Sequence, residues 1–342
     1  MIETDPSAPP AVPAIHALLT AAGVASINVD DAGDGLGDVP GGGWIAVTGS
    51  DRVRWLNGMV TNSVQSLTPG DGAYSFLLSA QGRIQADATV WAESDRLLLQ
   101  TSSGQVATLL ALLDRFIIMD DVELADVTTQ VHGLLVAGPL AAQTLAAAGL
   151  AQARPSKLLR RMATQWRGHN VTLVHAYSPL VSRFEVWSDD EDVVAELREE
   201  LLRADAAGCS LADVELLRIA EGLPRFGKDI RDRELPQETG QHRALHFAKG
   251  CYLGQEIVER IRSRGNVHRT FAAFTLSGTA PQPGTALLAD GKQVGELTSV
   301  ATAEVLGDAV ALGFIRREAL ERGLPLSYAG GHAEPRTHTA AS

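Results

Sequence analysis

Cysteine is scarce: the 342 residues hold two, Cys209 and Cys251. That is too few for a disulfide framework, and such usage suits a reducing cytoplasm. No Cys-x-x-Cys pair is present to hold an iron–sulfur cluster within this chain. No apolar run approaches the ~20 residues needed to cross a bilayer. The opening Met1-Ile2-Glu3-Thr4-Asp5, followed by a Pro/Ala-rich segment to Pro13, lacks the basic start and apolar core of a signal peptide. A soluble, cytoplasmic protein with no membrane partner is therefore expected. Positive charge is also in short supply, with 29 Lys and Arg against 41 Asp and Glu and a net charge of −12. Such a surface repels nucleic acid unless basic residues are grouped locally, as they are from Arg260 to Arg269. No Ser/His/Asp order reads as a triad. Gly41-Gly42-Gly43 lacks the lysine and threonine of a phosphate loop and reads as a linker. His242 and His246 have helical metal-ligand spacing but no third ligand, so no metal site is expected.

With 45% hydrophobic residues, the length suits two or three domains with buried cores. A strand over Trp44 to Thr48 leads through Gly49-Ser50-Asp51 into a helix with Val53, Leu56, Met59 and Val60 at three- and four-residue spacing. Strands at Tyr74 to Leu78, Arg83 to Trp91 and Arg96 to Thr101, a helix from Gln105 to Phe116 and a strand at Val122 to Val127 complete a first unit, residues 44–128. The order then restarts. A strand at His132 to Ala137, an alanine-rich helix to Ala148, three strands between Met162 and Trp187 and a helix from Asp190 to Ala206 form a second unit, residues 129–240. Leu211 to Ala220 reads as a helix stopped by Gly222-Leu223-Pro224. Short strands between glycine turns from Phe271 onward predict a small β-barrel over residues 271–329. Residues 1–43 read as a lead-in, and residues 1–12 and 330–342 as flexible. The predicted class is α+β: two related α/β units plus a C-terminal barrel.

Residues 241–270 carry the densest chemistry. Cys251 lies between Gly250 and Gly254 beside Lys249, the nearest cation able to stabilise a thiolate. From Gln255 onward the alternation fits a strand with Val258, Arg260, Arg262 and Arg264 on one face, an array suited to carboxylates or phosphates. A lone cysteine is as readily a small buried hydrophobe, and an arginine row a solvated face.

Lys249-Gly250-Cys251-Tyr252-Leu253-Gly254-Gln255-Glu256 resembles the K-G-C-Y-x-G-Q-E signature of the YgfZ family, the folate-binding relatives of the glycine-cleavage T-protein (GcvT, aminomethyltransferase). Weaker resemblances lie at Val47 to Asp51, Leu56 to Asn62, Leu217 to Ile230 and Leu235 to Thr239. The resemblance implies a GcvT/YgfZ-like fold around a central folate channel, with tetrahydrofolate or a one-carbon derivative as cofactor. Cys251 and Asp87 would be catalytic, and Asp87, Arg218, Glu221, Lys249, Tyr252, Gln255, Glu256, Arg260 and Arg262 would hold the folate. Gly82 to Asp87 is similar to the T-protein G-G-x-x-D-D segment, with Ala86 in place of the first aspartate. Arg218 to Gly222 is similar to R-x-E-A-G, with the glutamate displaced by one residue to Glu221. Three functions follow. The first, favoured on the octapeptide, is a YgfZ-like factor supporting assembly or repair of iron–sulfur proteins, and through them tRNA modification, with client or assembly proteins as partners; the other two are alternatives. The second is a tetrahydrofolate-dependent aminomethyltransferase or demethylase, and the third a folate- or partner-binding module without chemistry.

Overall fold

The computed structural model describes residues 14–28, 41–150, 155–265, 267–302 and 306–336. Two antiparallel-rich sheets pack face to face, helices cover their outer faces, and a closed barrel sits at one end.

The first sheet takes the strand order Gly72–Leu78, Ile84–Ala92, Leu97–Ser102, Gly42–Thr48, Glu123–Asp126. The second repeats this arrangement with Arg160–Trp166, His169–His175, Arg183–Ser188, His132–Ala137 and Ala207–Gly208. One strand interrupts the copy: Gly23–Ser26 lies between His132–Ala137 and Ala207–Gly208. Because it runs antiparallel to the first neighbour and parallel to the second, Ala207–Gly208 keeps the direction that Glu123–Asp126 has in the first sheet. The matching glycines Gly49 and Gly138 agree with this relation. Both have positive φ, +96° and +130°, and a Cβ on either would lie 2.1 and 2.3 Å from a carbonyl, of Asp121 and Ala21 respectively.

The helices form where apolar spacing and caps coincide. Glu191–Arg203 buries Val193, Leu197 and Leu201 at four-residue intervals, and Asp190 accepts hydrogen bonds from the backbone N–H groups of Asp192 and Val193. Leu211–Ala220 opens with a reciprocal Ser210/Asp213 capping box. The space between the sheets is filled at one end by Trp44, Trp91 and Trp187, with Trp91 and Trp187 edge to face at 5.6 Å. The two sheets are also joined by Gln100, which donates to Glu185 at 2.9 Å.

The barrel order is Arg269–Gly278, Ala309–Arg316, Lys292–Ala301, Ala286–Ala289, Leu326–Tyr328, Gly331–Pro335. The barrel packs on Leu211–Ala220 through Ile219, Ala273, Val310 and Leu312.

Three expectations change. The lead-in contains the helix Ala14–Thr20 and the inserted strand Gly23–Ser26, and Ile15 and Leu18 of that helix are part of the inter-sheet core. The expected flexible tail begins with Gly331–Pro335, the strand that closes the barrel against Arg269–Gly278. Residues 1–12 and 337–342 lie outside the described residues. The run after the signature glycine is a helix, Gln255–Arg264, and not a strand. Charge alternation cannot distinguish the two. Ile257, Val258 and Ile261 have helical spacing, and Glu256 pairs with Arg260 one turn on at 3.1 Å.

Candidate functional site

The sheets separate away from the tryptophans, leaving two adjoining cavities of about 270 and 250 Å³ that share Gln100, Thr101, Ser102, Arg183, Glu185, Arg218 and Arg225 as walls. Asp87 stands on the wall of the first. Its strand alternates, so Ala86 is 1% exposed in the core under the helices while Asp87 faces the opposite way. The alanine that departs from the aspartate pair thus occupies the face away from the cavity. Asp87 accepts hydrogen bonds from the Tyr74 hydroxyl at 2.7 Å and from Gln105 Nε2 at 3.1 Å. Burial pushes its carboxyl above the usual carboxylate range, against the pull of those two donors and the Arg243 charge. Tyr74 is held protonated well above its ordinary value, first by burial and then by Asp87.

Arg243 is the other central side chain. Its guanidinium lies 4.0 Å from the ring centroids of both Tyr74 and Tyr177, and burial lowers its pKa. Tyr74, Tyr177, Gln105, Arg183 and Arg243 escaped the sequence reading because each is an isolated residue on a separate element. Only Tyr74, alternating with Phe76 and Leu78 on a predicted strand, carried a local signal of orientation.

Arg218 reaches both cavities but its donors are spent within the protein. It grips Glu215 twice, at 2.7 and 2.8 Å, Asp229 at 2.7 Å and Ser299 at 3.0 Å, and also donates to the Leu223 carbonyl. Asp229, fully buried, additionally accepts from Thr298 at 2.5 Å and Ser299 at 2.7 Å. Breaking such a buried pair costs about 3–5 kcal/mol, so Arg218 joins helix, loop and barrel at the cavity rim. Burial alone would raise Glu215; Arg218, Arg225 and Lys228 bring it below its ordinary value instead.

Glu221 is not a wall residue. It is 2% exposed, takes a hydrogen bond from the Ser178 hydroxyl, and burial raises its carboxyl pKa. Sequence spacing placed it one residue, about 100°, from the expected position; it lies behind the cavity wall, where the charges of the wall residues Arg183 and Arg243 act on its carboxyl.

The octapeptide Lys249 to Glu256 and the helix that follows it line neither cavity. Lys249 Nζ donates to the carbonyls of Asn57, Val60 and Asn62 at 2.7, 2.5 and 2.6 Å. Burial pulls its pKa down to about 7, yet three carbonyl acceptors require three N–H donors, so the ammonium is the form that ties this loop down. Tyr252 is 8% exposed in a core with Phe76, Ile84 and Val258, and burial pushes its hydroxyl up to about 12. Gln255 accepts from the Tyr252 backbone N–H at 3.3 Å; Glu256 and Arg260 pair at the surface, and Arg262 covers the Phe247 ring at 4.4 Å. These six residues hold or coat the loop, and none of them lines either cavity. Cys251 is exposed on it, while Cys209 is half-buried with its thiol pushed up to about 12 by burial. Among the described residues no group of three or more His, Cys, Asp or Glu could hold a metal, and no helix is long and apolar enough to cross a membrane.

Two repeated sheets over a polar cleft, with a barrel docked at the rim, define a class, and the comparisons give it its name. Residues 31–249 match the GCVT N-terminal domain and residues 269–335 the glycine cleavage T-protein C-terminal barrel domain. The chain belongs to this GCVT family. An aminomethyltransferase of Geobacillus kaustophilus (strain HTA426) is 28% identical over 302 residues, 83% of this chain and 79% of that protein. Another, from Nostoc sp. (strain PCC 7120), is 26% identical over 303 residues, 85% and 79% of the two chains. A putative chloroplastic transferase of Arabidopsis thaliana is 26% identical over 284 residues, 82% of this chain, which spans 65% of that protein's length. The crystal structure of glycine cleavage system aminomethyltransferase T from Bartonella henselae shares the fold, with a TM-score of 0.81 at 19% identity over 95% of this chain and 88% of that one.

Proposed function

We propose that the protein binds a reduced folate between its two sheets and transfers a one-carbon unit of the aminomethyl kind. The observation that carries this reading is Asp87, a carboxylate on the cavity wall fixed by Tyr74 and Gln105. The donor set suits a folate: a carboxylate and two amides for a pterin edge, tyrosine rings for its faces, and arginines for the glutamyl carboxylates. Relatives named aminomethyltransferase, aligned over most of their length, support the same reading. Tetrahydrofolate, when bound, supplies the nitrogen atoms that carry the one-carbon unit. Asp87 orients an amine, and its raised pKa suits it to hold or release a proton there. Tyr74 and Gln105 each hold one oxygen of Asp87 and so fix the plane of its carboxyl group, and Arg243 sets the local charge.

Calorimetric titration with tetrahydrofolate of wild type and of Asp87→Ala and Cys251→Ser variants tests this. Saturable binding weakened by Asp87→Ala and untouched by Cys251→Ser is expected; no binding by wild type removes the reading.

A second reading has its own observation. Cys251 is exposed on a loop clamped by Lys249, outside the cavity, and its octapeptide resembles the YgfZ signature. This supports a role in iron–sulfur protein assembly or repair in which the thiol meets a partner protein at the surface. If Cys251→Ser restores iron–sulfur enzyme activity fully in cells lacking the protein, that role is wrong.

A further inference from the structure

Two cavities on the barrel side share no wall residue with the inter-sheet cleft. One, of about 310 Å³, runs along Arg231, Arg233 and Gln293 to Glu296; the other, of about 760 Å³, is lined by Arg83, His268, Arg317 and Glu318 among others. Arg269 and Arg316 belong to both, so the two adjoin. Their permanent positive charges are all arginine, in a chain with a net charge of −12.

Most of this charge is already neutralised. Arg231 pairs with Glu296 at 3.1 Å, Arg233 with Glu234 at 3.1 Å, Arg269 with Glu238 at 2.9 Å and Arg317 with Glu321 at 3.4 Å. Glu318, the remaining acid of the larger cavity, pairs with Arg322 at 3.1 Å, which is not a wall residue. Arg83 and Arg316 remain, and among the described residues neither has a carboxylate partner. Arg83 donates to the Arg233 carbonyl, and Arg316 is exposed.

We propose that the larger cavity is a second ligand site, in which Arg83 and Arg316 bind an anion carrying several phosphate or carboxylate groups. The paired arginines fix the walls, the two unpaired ones supply charge, and guanidinium forks match either oxyanion in a bidentate manner. A volume of about 760 Å³ suits a metabolite-sized ligand.

The test is calorimetry on the full chain with tripolyphosphate and, separately, tri-L-glutamate, for wild type, Arg83→Ala, Arg316→Ala and the control Arg260→Ala, whose arginine lies on the surface helix. Saturable binding of at least one probe is expected, weakened tenfold or more in both cavity variants and unchanged in the control. Binding of tripolyphosphate alone names a phosphate ligand, of tri-L-glutamate alone a polycarboxylate, and of both a general oxyanion site. No saturable binding, wild-type affinity in either cavity variant, or an equal loss in the control overturns the proposal. Melting curves confirm that the variants fold, and tetrahydrofolate titrations of the same proteins, expected to match wild type, report separately on the inter-sheet cleft.

Discussion

The Tyr74 hydroxyl donates to Asp87 Oδ2 at 2.7 Å across two adjacent strands, two residues from directly opposite, since Tyr74 faces Thr89 and Asp87 faces Phe76. A diagonal pair on one face of an antiparallel sheet is within reach of a long side chain. Here it puts a buried phenol and a half-buried carboxylate on the same cavity wall.

That pair gives a pH dependence with a definite sign. The native pKa of Asp87 is raised above 3.8, so between that value and the native one the folded protein binds more protons than the unfolded chain. Stability from this group is therefore present at low pH and lost as pH rises through the native pKa. Asp87→Asn removes the titration. Its unfolding free energy relative to wild type should rise as pH increases from about 4 to 7; denaturant titrations across that range measure it. A constant difference would mean that Asp87 does not titrate there.

Lys249→Met should destabilise by about 2–3 kcal/mol, because three carbonyls lose a charged donor in a half-buried place. A fall in the urea midpoint without a change in m-value reports it. Tetrahydrofolate affinity should stay within about threefold of wild type, since a change of that size is only ~0.6 kcal/mol and Lys249 does not line the cleft.

Gly254→Ala should damage the cysteine loop more than the fold. Gly254 has φ +80°, and a Cβ there would lie 2.5 Å from the Ser79 carbonyl. Left-handed backbone alone costs about 1–2 kcal/mol in a non-glycine residue, before the clash is relieved. Amide exchange should quicken in residues 249–257 and 78–82 and stay as in wild type in the Glu191–Arg203 helix.

The thiols should separate by reactivity. Native protein treated with a thiol reagent near neutral pH should modify Cys251 quickly and leave Cys209 intact, since the first is exposed and the second half-buried with its thiol pushed up to about 12. Peptide mass spectrometry assigns the label. Equal rates would contradict the burial of Cys209.

Most of the architecture is legible in the chain because both periodicities are strong where one face meets a core. Val193, Leu197 and Leu201 announce a helix, and Leu211–Ala220 has the predicted bounds. Signals fail where charge obscures the pattern or where the apolar stripe is thin. Arginines alternating from Arg260 suggest a strand, although Ile257 and Ile261 stand one helical turn apart. The closing barrel strand Gly331–Pro335 buries a single residue, Ala333, too weak a stripe to read as a strand.

The sequence alone determined the repeated α/β units, the barrel, the kinship to the glycine-cleavage T-protein and the alternation that separates Asp87 from Ala86, because each rests on local spacing or on a contiguous motif. Tertiary structure alone decided what those residues touch. It turned Lys249, Tyr252 and Gln255 into supports of a loop, spent Arg218 on Glu215 and Asp229, and brought Tyr74, Gln105 and Arg243 to Asp87. Such convergence depends on how two sheets stack and where a barrel docks, and those distances are set by packing between residues far apart in the chain.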